Sequence, residues 1–296
     1  TSRLSDEAVT NWKIGFASAE WGSFAKFALQ KGWPESLLIE SKLVKRSDKT
    51  NSLFDFFRER IIFPITDKAG RITSFAGRVL PGENQQVKYL NLPENDHYHK
   101  KEILYGLSKA SREIKSHGNV FLVEGYTDVI RMHELGFINT VAASGTAFTT
   151  EQLSLLSPLT KKITLLGDGD NAGLNAMLKS GKMIAEARMH PYVVLLPEKK
   201  DPADAFSGNE QAETYIRSHT SDFISFVANR VMEKAGADPM LKNDAVTEIA
   251  SLLVNYDKTT RELYVNRISK QTKLKAKLIQ DKIKDIESSN RTFDDA

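Results

Sequence analysis

Cysteine is absent from all 296 residues. That excludes a disulfide framework and any thiolate-held zinc in this chain, and it suits a reducing compartment, so a cytoplasmic protein is expected. No apolar run approaches the roughly 20 residues that cross a bilayer. The opening TSRLSDEAVT lacks the basic-then-apolar layout of a secretion signal, and no membrane partner is expected. Internal repeats and low-complexity tracts are missing too. Neither sign of charge dominates: 41 Lys and Arg against 38 Asp and Glu leave a net charge of +3. Such a balance permits a polyanionic partner without demanding one. What is present is 41% apolar residues, enough to bury cores in two or three subdomains.

The chain has three textures. Residues 1–116 mix short helical and strand patterns with basic and aromatic residues, and in RIIFPITDKAGRITSFAGRVL (60–80) two β-rich runs flank a DKAG turn, which predicts a hairpin. Residues 117–204 alternate. VFLVEG, NTVAAS, KITLLGDGD and PYVVLLP read as strands separated by helical segments, with Gly136 closing one helix and Thr149 or Thr150 opening the next. This is the pattern of a mainly parallel sheet with helical crossovers. From 205 to 296 the periodicity is helical: Ile216, Phe223, Phe226, Val227, Ile249, Leu252, Leu253, Leu274, Leu278 and Ile279 recur at helical spacing. The lysines between Lys273 and Lys284 read as a solvated helix face. The expected fold class is therefore α/β, with a mixed N-terminal subdomain, a central parallel-sheet domain and a C-terminal helical subdomain.

Ligands of open parallel sheets bind beyond the carboxyl ends of the strands. Acidic residues fall at three such ends. Glu124 follows VFLV, Asp168 and Asp170 follow KITLLG, and Asp201 and Asp204 lie just past YVVLLP; Asp128 sits one turn into the helix after Glu124. A lone DGD is more readily a solvated turn than a ligand. Three strand ends delivering carboxylates to one edge favour hard divalent cations, Mg²⁺ or Mn²⁺, in one or more copies. That arrangement suits phosphoryl or nucleotidyl transfer.

The series VFLVEGYTDV, AASGTAFT, LLGDGDNAG and DPAD resembles the TOPRIM domain of bacterial primases, topoisomerases and some nucleases. Upstream, FRERIIFPITDKAGRITSFAGRVL, KYLNLPENDHYHKKEILYGLSKA and LSDEAVTNWKIGFA are similar to the RNA polymerase core of DnaG-type primases. The resemblance covers most of residues 4–204. It implies synthesis of short RNA primers on a single-stranded DNA template from ribonucleoside triphosphates, leaving an RNA–DNA hybrid. By the same resemblance Glu124, Asp168 and Asp170 are the catalytic and metal-holding group, with Glu124 also an acid/base candidate. Asp201 and Asp204 complete the metal set. Arg58, Arg60, Arg78, Lys88, Tyr89, Asn91, Lys100, Tyr126 and Asp128 fall on the nucleic-acid or nucleotide-binding surface. Arg78 and Lys88 are its strongest members; Arg60 has a structural alternative, and His99 reads as a packed or surface histidine. A TOPRIM nuclease is the alternative enzyme, and a metal-free binding module the non-catalytic one.

The sequence departs from the family pattern in places. Gly167 stands where an aromatic residue is usual, Ala203 replaces a carboxylate of the DPD motif so that Asp204 comes one residue later, and Phe56 occupies a position that is basic in some relatives. The family's N-terminal zinc module and its helicase-binding domain are not found here. The expectation is a catalytic core taken from a longer protein, whose replicative helicase would be met through a domain absent from this chain.

Overall fold

The computed structural model describes residues 4–80, 87–96, 98–145 and 147–294, with side chains for all of these except 203 and 290–294. Ala203's side chain and Thr146 of AASGTAFT thus lie outside the described set. Eleven strands occur among these residues: β1 (Gly15–Ala17), β2 (Val44–Arg46), β3 (Leu53–Asp55), β4 (Arg60–Thr66), β5 (Ile72–Val79), β6 (Tyr89–Asn91), β7 (Asn119–Val123), β8 (Thr140–Ala142), β9 (Lys162–Gly167), β10 (His190–Leu195) and β11 (Ser221–Asp222). The helices are α1 (Asp6–Asn11), α2 (Ser23–Gln30), α3 (Glu35–Glu40), α4 (Leu107–His117), α5 (Tyr126–Glu134), α6 (Thr150–Leu156), α7 (Asn171–Glu186), α8 (Pro202–Ala205), α9 (Asn209–His219), α10 (Phe223–Ala235), α11 (Pro239–Leu253), α12 (Lys258–Thr272) and α13 (Ala276–Asp294). The fold is mixed α/β, as the periodicities predict.

An antiparallel sheet of order β1-β4-β5-β6 leads the chain. Its central hairpin turns through the DKAG segment. Asp67 Oδ1 accepts the N–H groups of Ala69 (2.9 Å) and Arg71 (3.0 Å), while Gly70 takes φ +83°. An aspartate that bonds its own turn and a glycine free of the Cβ penalty are what such a turn asks for.

The second sheet has the order β11-β10-β9-β7-β8, with β7 to β10 mutually parallel and β11 a two-residue antiparallel edge. Its strands are buried on both faces, hence their near-continuous apolar sequences. Val120 and Leu122 of β7 face α4, α6, α7 and the C-terminal helices; Phe121 and Val123 face α5 and the β4–β5 hairpin. Each β–α junction carries its own stop and start signals. Thr149 caps α6, with Oγ1 accepting Gln152 N–H at 3.1 Å and Gln152 Oε1 accepting Thr149 N–H at 3.2 Å. Gly136 ends α5 at φ +87°.

The helical end packs on the first face of this sheet. Phe223 of α10 is fully buried against Gly181 of α7, where an added Cβ would lie 2.2 Å from its ring. Phe223, Val227, Ile249, Leu252, Leu253 and Ile279 are core residues, as expected. Leu278 is not: it is 50% exposed, because the buried stripe of α13 runs through Ile279 and Ile283 at i, i+4. Lys273 also breaks the predicted run, ending α12 with φ +60°, and Lys273, Lys275, Lys277 and Lys284 are exposed. Among the described residues no helix is long and apolar enough to cross a membrane.

Candidate active site and nucleic-acid interface

The LLGDGDNAG corner is built by close approach. None of Gly167, Gly169 and Gly173 has a positive φ, so these glycines are not conformational hinges. A Cβ on Gly169 would sit 1.9 Å from the carbonyl oxygen of Pro197, and one on Gly173 would sit 2.7 Å from that of Asp168. The corner therefore lies flat against the loop after β10 while the first turn of α7 lies flat against Asp168. Backbone bonds lock the first contact: Gly169 N–H to Lys200 O and Lys199 N–H to Gly169 O, both 3.0 Å. That loop carries Asp201, so two strand ends deliver carboxylates from one fastened piece of backbone.

The individual acids differ in environment. Asp170 caps α7, its Oδ1 accepting Gly173 N–H at 2.7 Å, and is exposed. Asp201 caps α8 through Asp204 N–H at 2.9 Å, and Asp204 is exposed on that turn. Glu124 is exposed at the end of β7, its backbone carbonyl accepting Ser144 N–H at 3.2 Å. Asp168 is half-buried, and its Oδ1 has no hydrogen-bond partner. Burial, then Glu124, Asp128, Asp201 and Asp170, push its carboxyl up to about 8. Asp128 is 5% exposed and pushed up to about 7 by burial and then by Asp201. Although its side chain reaches solvent, Glu124's carboxyl is raised by partial desolvation where it leans on the cluster, and then by Asp170.

Burial first, and then mutual repulsion, raises all three carboxyls. A divalent ion would displace the held proton and supply the ligand that Asp168 Oδ1 lacks. Among the described residues no three acidic or histidine side chains close on one point as a complete cage would. An open edge of hard oxygens nonetheless fits Mg²⁺, which keeps water and takes one or two carboxylates together with substrate phosphates.

Beside this edge stands β6. Tyr89 is in register with Arg78 of β5, whose guanidinium lies 5.6 Å from the ring centre. Tyr89's hydroxyl is raised chiefly by burial and also feels Asp128 and Asp201, and the Lys88 charge reaches Asp128. Lys88 is exposed and Arg78 half-buried on this side of the sheet.

A DNA primase catalytic core N-terminal domain model matches residues 1–111, and a Toprim-like model matches residues 121–206. The DNA primase of Deinococcus radiodurans is 38% identical over 239 residues, which are 79% of this chain and 41% of that protein. That of Clostridium acetobutylicum is 31% identical over 297 residues, 98% of this chain and 48% of that protein. This chain belongs to the DnaG-type primase catalytic-core family. It spans less than half the length of these two relatives. Among solved structures, a DNA primase domain from Pseudomonas aeruginosa superposes with a TM-score of 0.79 at 29% identity, covering 95% of this chain and 89% of that one. A DnaG primase catalytic domain bound to ssDNA gives 0.77 at 29% identity, covering 90% and 87%.

Several of the positions that the primase resemblance marks as binding residues are placed differently in space. Tyr126 is 2% exposed and stacks on Phe63 at 5.5 Å, with its hydroxyl donating to Asn91 Oδ1 at 2.8 Å. Both residues join the two sheets, and Tyr126 has no surface to offer a ligand. Asp128 is likewise interior, its Oδ2 accepting Gly125 N–H at 2.9 Å, which fixes the turn after Glu124. Arg60 is 5% exposed and donates to the carbonyls of Gly77 (3.2 Å) and Val87 (3.0 Å), the structural alternative. Arg58 lies over Trp21 at 3.7 Å and donates to Ala19 O, on the same lobe. Half-buried Lys100 sits on a 3₁₀ turn tied by its own N–H to Glu94, without a described contact to the carboxylate edge. His99 is exposed.

Two contributors escaped the sequence reading. Thr127 is buried beneath Tyr89, hydroxyl to hydroxyl at 3.5 Å, and nothing in a lone threonine signals this. Ser144 holds φ +49° and donates to Glu124's carbonyl; the small residues of AASG are its only trace in sequence. The departures also find places. Gly167 is buried facing Met177, whose Sδ would be 3.0 Å from an added Cβ, so a larger residue here would require Met177 to move. Phe56 lies under Lys45, 4.8 Å from ring centre to ammonium.

Proposed function

We propose that this chain is the catalytic core of a primase. It joins ribonucleoside triphosphates into short RNA primers on a single-stranded DNA template, by divalent-metal-dependent nucleotidyl transfer. The observation that carries the reading is Asp168 Oδ1, buried without a partner inside a carboxylate group that opens beside Arg78 and Lys88. Glu124, Asp168, Asp170 and Asp201 are the residues that would hold Mg²⁺ or Mn²⁺, with Asp204 at the margin. An ion held there would supply positive charge against that developing on the reacting phosphates. Arg78 and Lys88 draw in the triphosphate and the template backbone, and Tyr89 orients them at the carboxylate edge. Tyr126, Asn91 and Asp128 position the Glu124 turn from below.

In this reading residues 1–116 carry the basic surface, 117–204 the acidic edge and 205–296 a helical buttress. On the same reading the protein works in the cytoplasm, its product is an RNA–DNA hybrid, and a replicative helicase is its partner. The ssDNA bound by the related catalytic domain supports the choice of template. Ribonucleotide incorporation on a single-stranded DNA, with Mg²⁺ or Mn²⁺, tests it. Incorporation is expected and is lost in Asp168→Ala; shortening of a labelled strand instead would make the chain a nuclease.

A further inference from the structure

The helical end holds a cleft that the acidic edge does not use. It lies between α10 and α12 where they meet the edge strand β11, with a volume of about 490 Å³. Asn229 and Arg230 line it from α10; Arg267 and Gln271, one turn apart, line it from α12. Neither arginine forms an ion pair among the described residues. Arg267 rests against the face of Tyr264, 5.7 Å from ring centre to guanidinium carbon, which leaves its N–H fork for another partner.

Two acids share the cleft, but neither is ion-paired to Arg230 or Arg267 among the described residues. Asp222 is committed to Ser225 N–H at 2.9 Å and to the Tyr264 hydroxyl at 2.5 Å. Glu233 stands exposed at the rim. Ser225 lines the floor, is 6% exposed, and its Oγ has no hydrogen-bond partner. A buried hydroxyl left unpaired is destabilising, and a ligand oxygen in the cleft would relieve it. Leu195 and Phe226 supply an apolar wall.

Two guanidinium forks, two side-chain amides and an unspent hydroxyl around an apolar wall match a phosphate joined to a sugar and base. The location agrees. Leu195, at the inner end of the cleft, is in register with Gly167, and the residue after Gly167 is Asp168. The cleft thus opens one strand along from the carboxylate edge.

We propose that this cleft is a second nucleotide-phosphate site, gripping a phosphate of a nucleotide unit through Arg230 and Arg267. The choice of nucleotide over other phosphate esters rests on the primase reading of the acidic edge. The test is anisotropy of a labelled oligodeoxythymidylate, and separately of a labelled ribonucleoside triphosphate, on the whole chain at low salt. Arg230→Gln and Arg267→Gln should each weaken binding about fivefold or more, with a shallower salt dependence. Loss with the strand alone makes the ligand a backbone phosphate, and loss with the triphosphate alone makes it a free nucleotide; either outcome supports the site. Glu233→Gln, which removes the opposing rim charge without touching the arginines, should tighten binding and guards against a folding defect in the arginine variants. Unchanged affinity for both probes in all three variants overturns the proposal. Ribonucleotide incorporation by the unaltered chain, measured in parallel, reports on the acidic edge alone and separates the two failures.

Discussion

Gly173 and Asp168 are in backbone contact: a single methyl group on Gly173 would lie 2.7 Å from Asp168's carbonyl oxygen and 2.8 Å from its Cβ. The first turn of α7 is thereby the wall that holds Asp168 in place. Gly173→Ala should push that wall away, costing about 1–3 kcal/mol by the usual range for overpacking. Urea melts would read the destabilisation. Incorporation should fall more than tenfold even where the variant is folded, and near-normal activity would mean that Asp168's position is not decisive. Gly169→Ala, aimed at backbone 1.9 Å away, should be worse.

Charge crowding predicts an unusual pH dependence. Asp168 has a folded value raised to about 8 from 3.8, so between those pH values the folded chain holds a proton that the unfolded chain has released. Stability from this group is complete below pH 4 and declines as pH rises towards 8. Asp128, raised to about 7, acts in the same sense. Thermal melts without divalent ions should therefore fall from pH 5 to pH 8, and the slope should be shallower in Asp168→Asn. Adding Mg²⁺ at pH 8 should raise the melting temperature of the unaltered chain and leave that of Asp168→Asn nearly unmoved.

Arg60 and Arg78 should separate cleanly. Arg60→Ala leaves the carbonyls of Gly77 and Val87 without their donor and should lower stability by about 2 kcal/mol. Arg78→Ala should leave stability within about 0.5 kcal/mol. It should weaken single-strand binding about threefold to tenfold, with a less steep salt dependence. Denaturant melts and anisotropy titrations on both variants decide it, and reversed outcomes would exchange the two roles.

Tyr126→Phe keeps the stacked ring and removes one hydrogen bond to Asn91. A loss of about 0.5–1.5 kcal/mol is expected. Asn91→Ala should cost a similar amount, because the buried Tyr126 hydroxyl keeps the Ser144 carbonyl at 3.4 Å as a second acceptor. Chemical denaturation of the pair and of the double variant would show coupling between the two positions.

Periodicity made the parallel strands legible, since strands covered on both faces must be apolar throughout, and turn chemistry marked the DKAG hairpin and the Thr149 cap. The acidic edge was legible because strand ends of such sheets share one side. Depth was not. Tyr126, Asp128 and Arg60 carry polar groups that suit a surface, yet each is buried with a specific partner, and no spacing rule names that partner. The glycines of LLGDGDNAG misled in the same way. Sequence presents glycine as freedom at a turn, whereas Gly169 and Gly173 are needed for lack of a side chain against neighbours distant in sequence.

The aromatic contacts around Tyr126 set a limit on movement. Phe63 comes from one sheet, Tyr89 from the same sheet's far edge, Tyr105 from the segment before α4, and all three rings lie within 5.6 Å of the Tyr126 ring centre. Parting the two sheets would unstack this seam and wet a buried hydroxyl. The platform below the carboxylates therefore behaves as an anvil and not as a jaw. Under the proposed primase reading, translocation would then fall to the nucleic acid, sliding over a fixed surface after each addition.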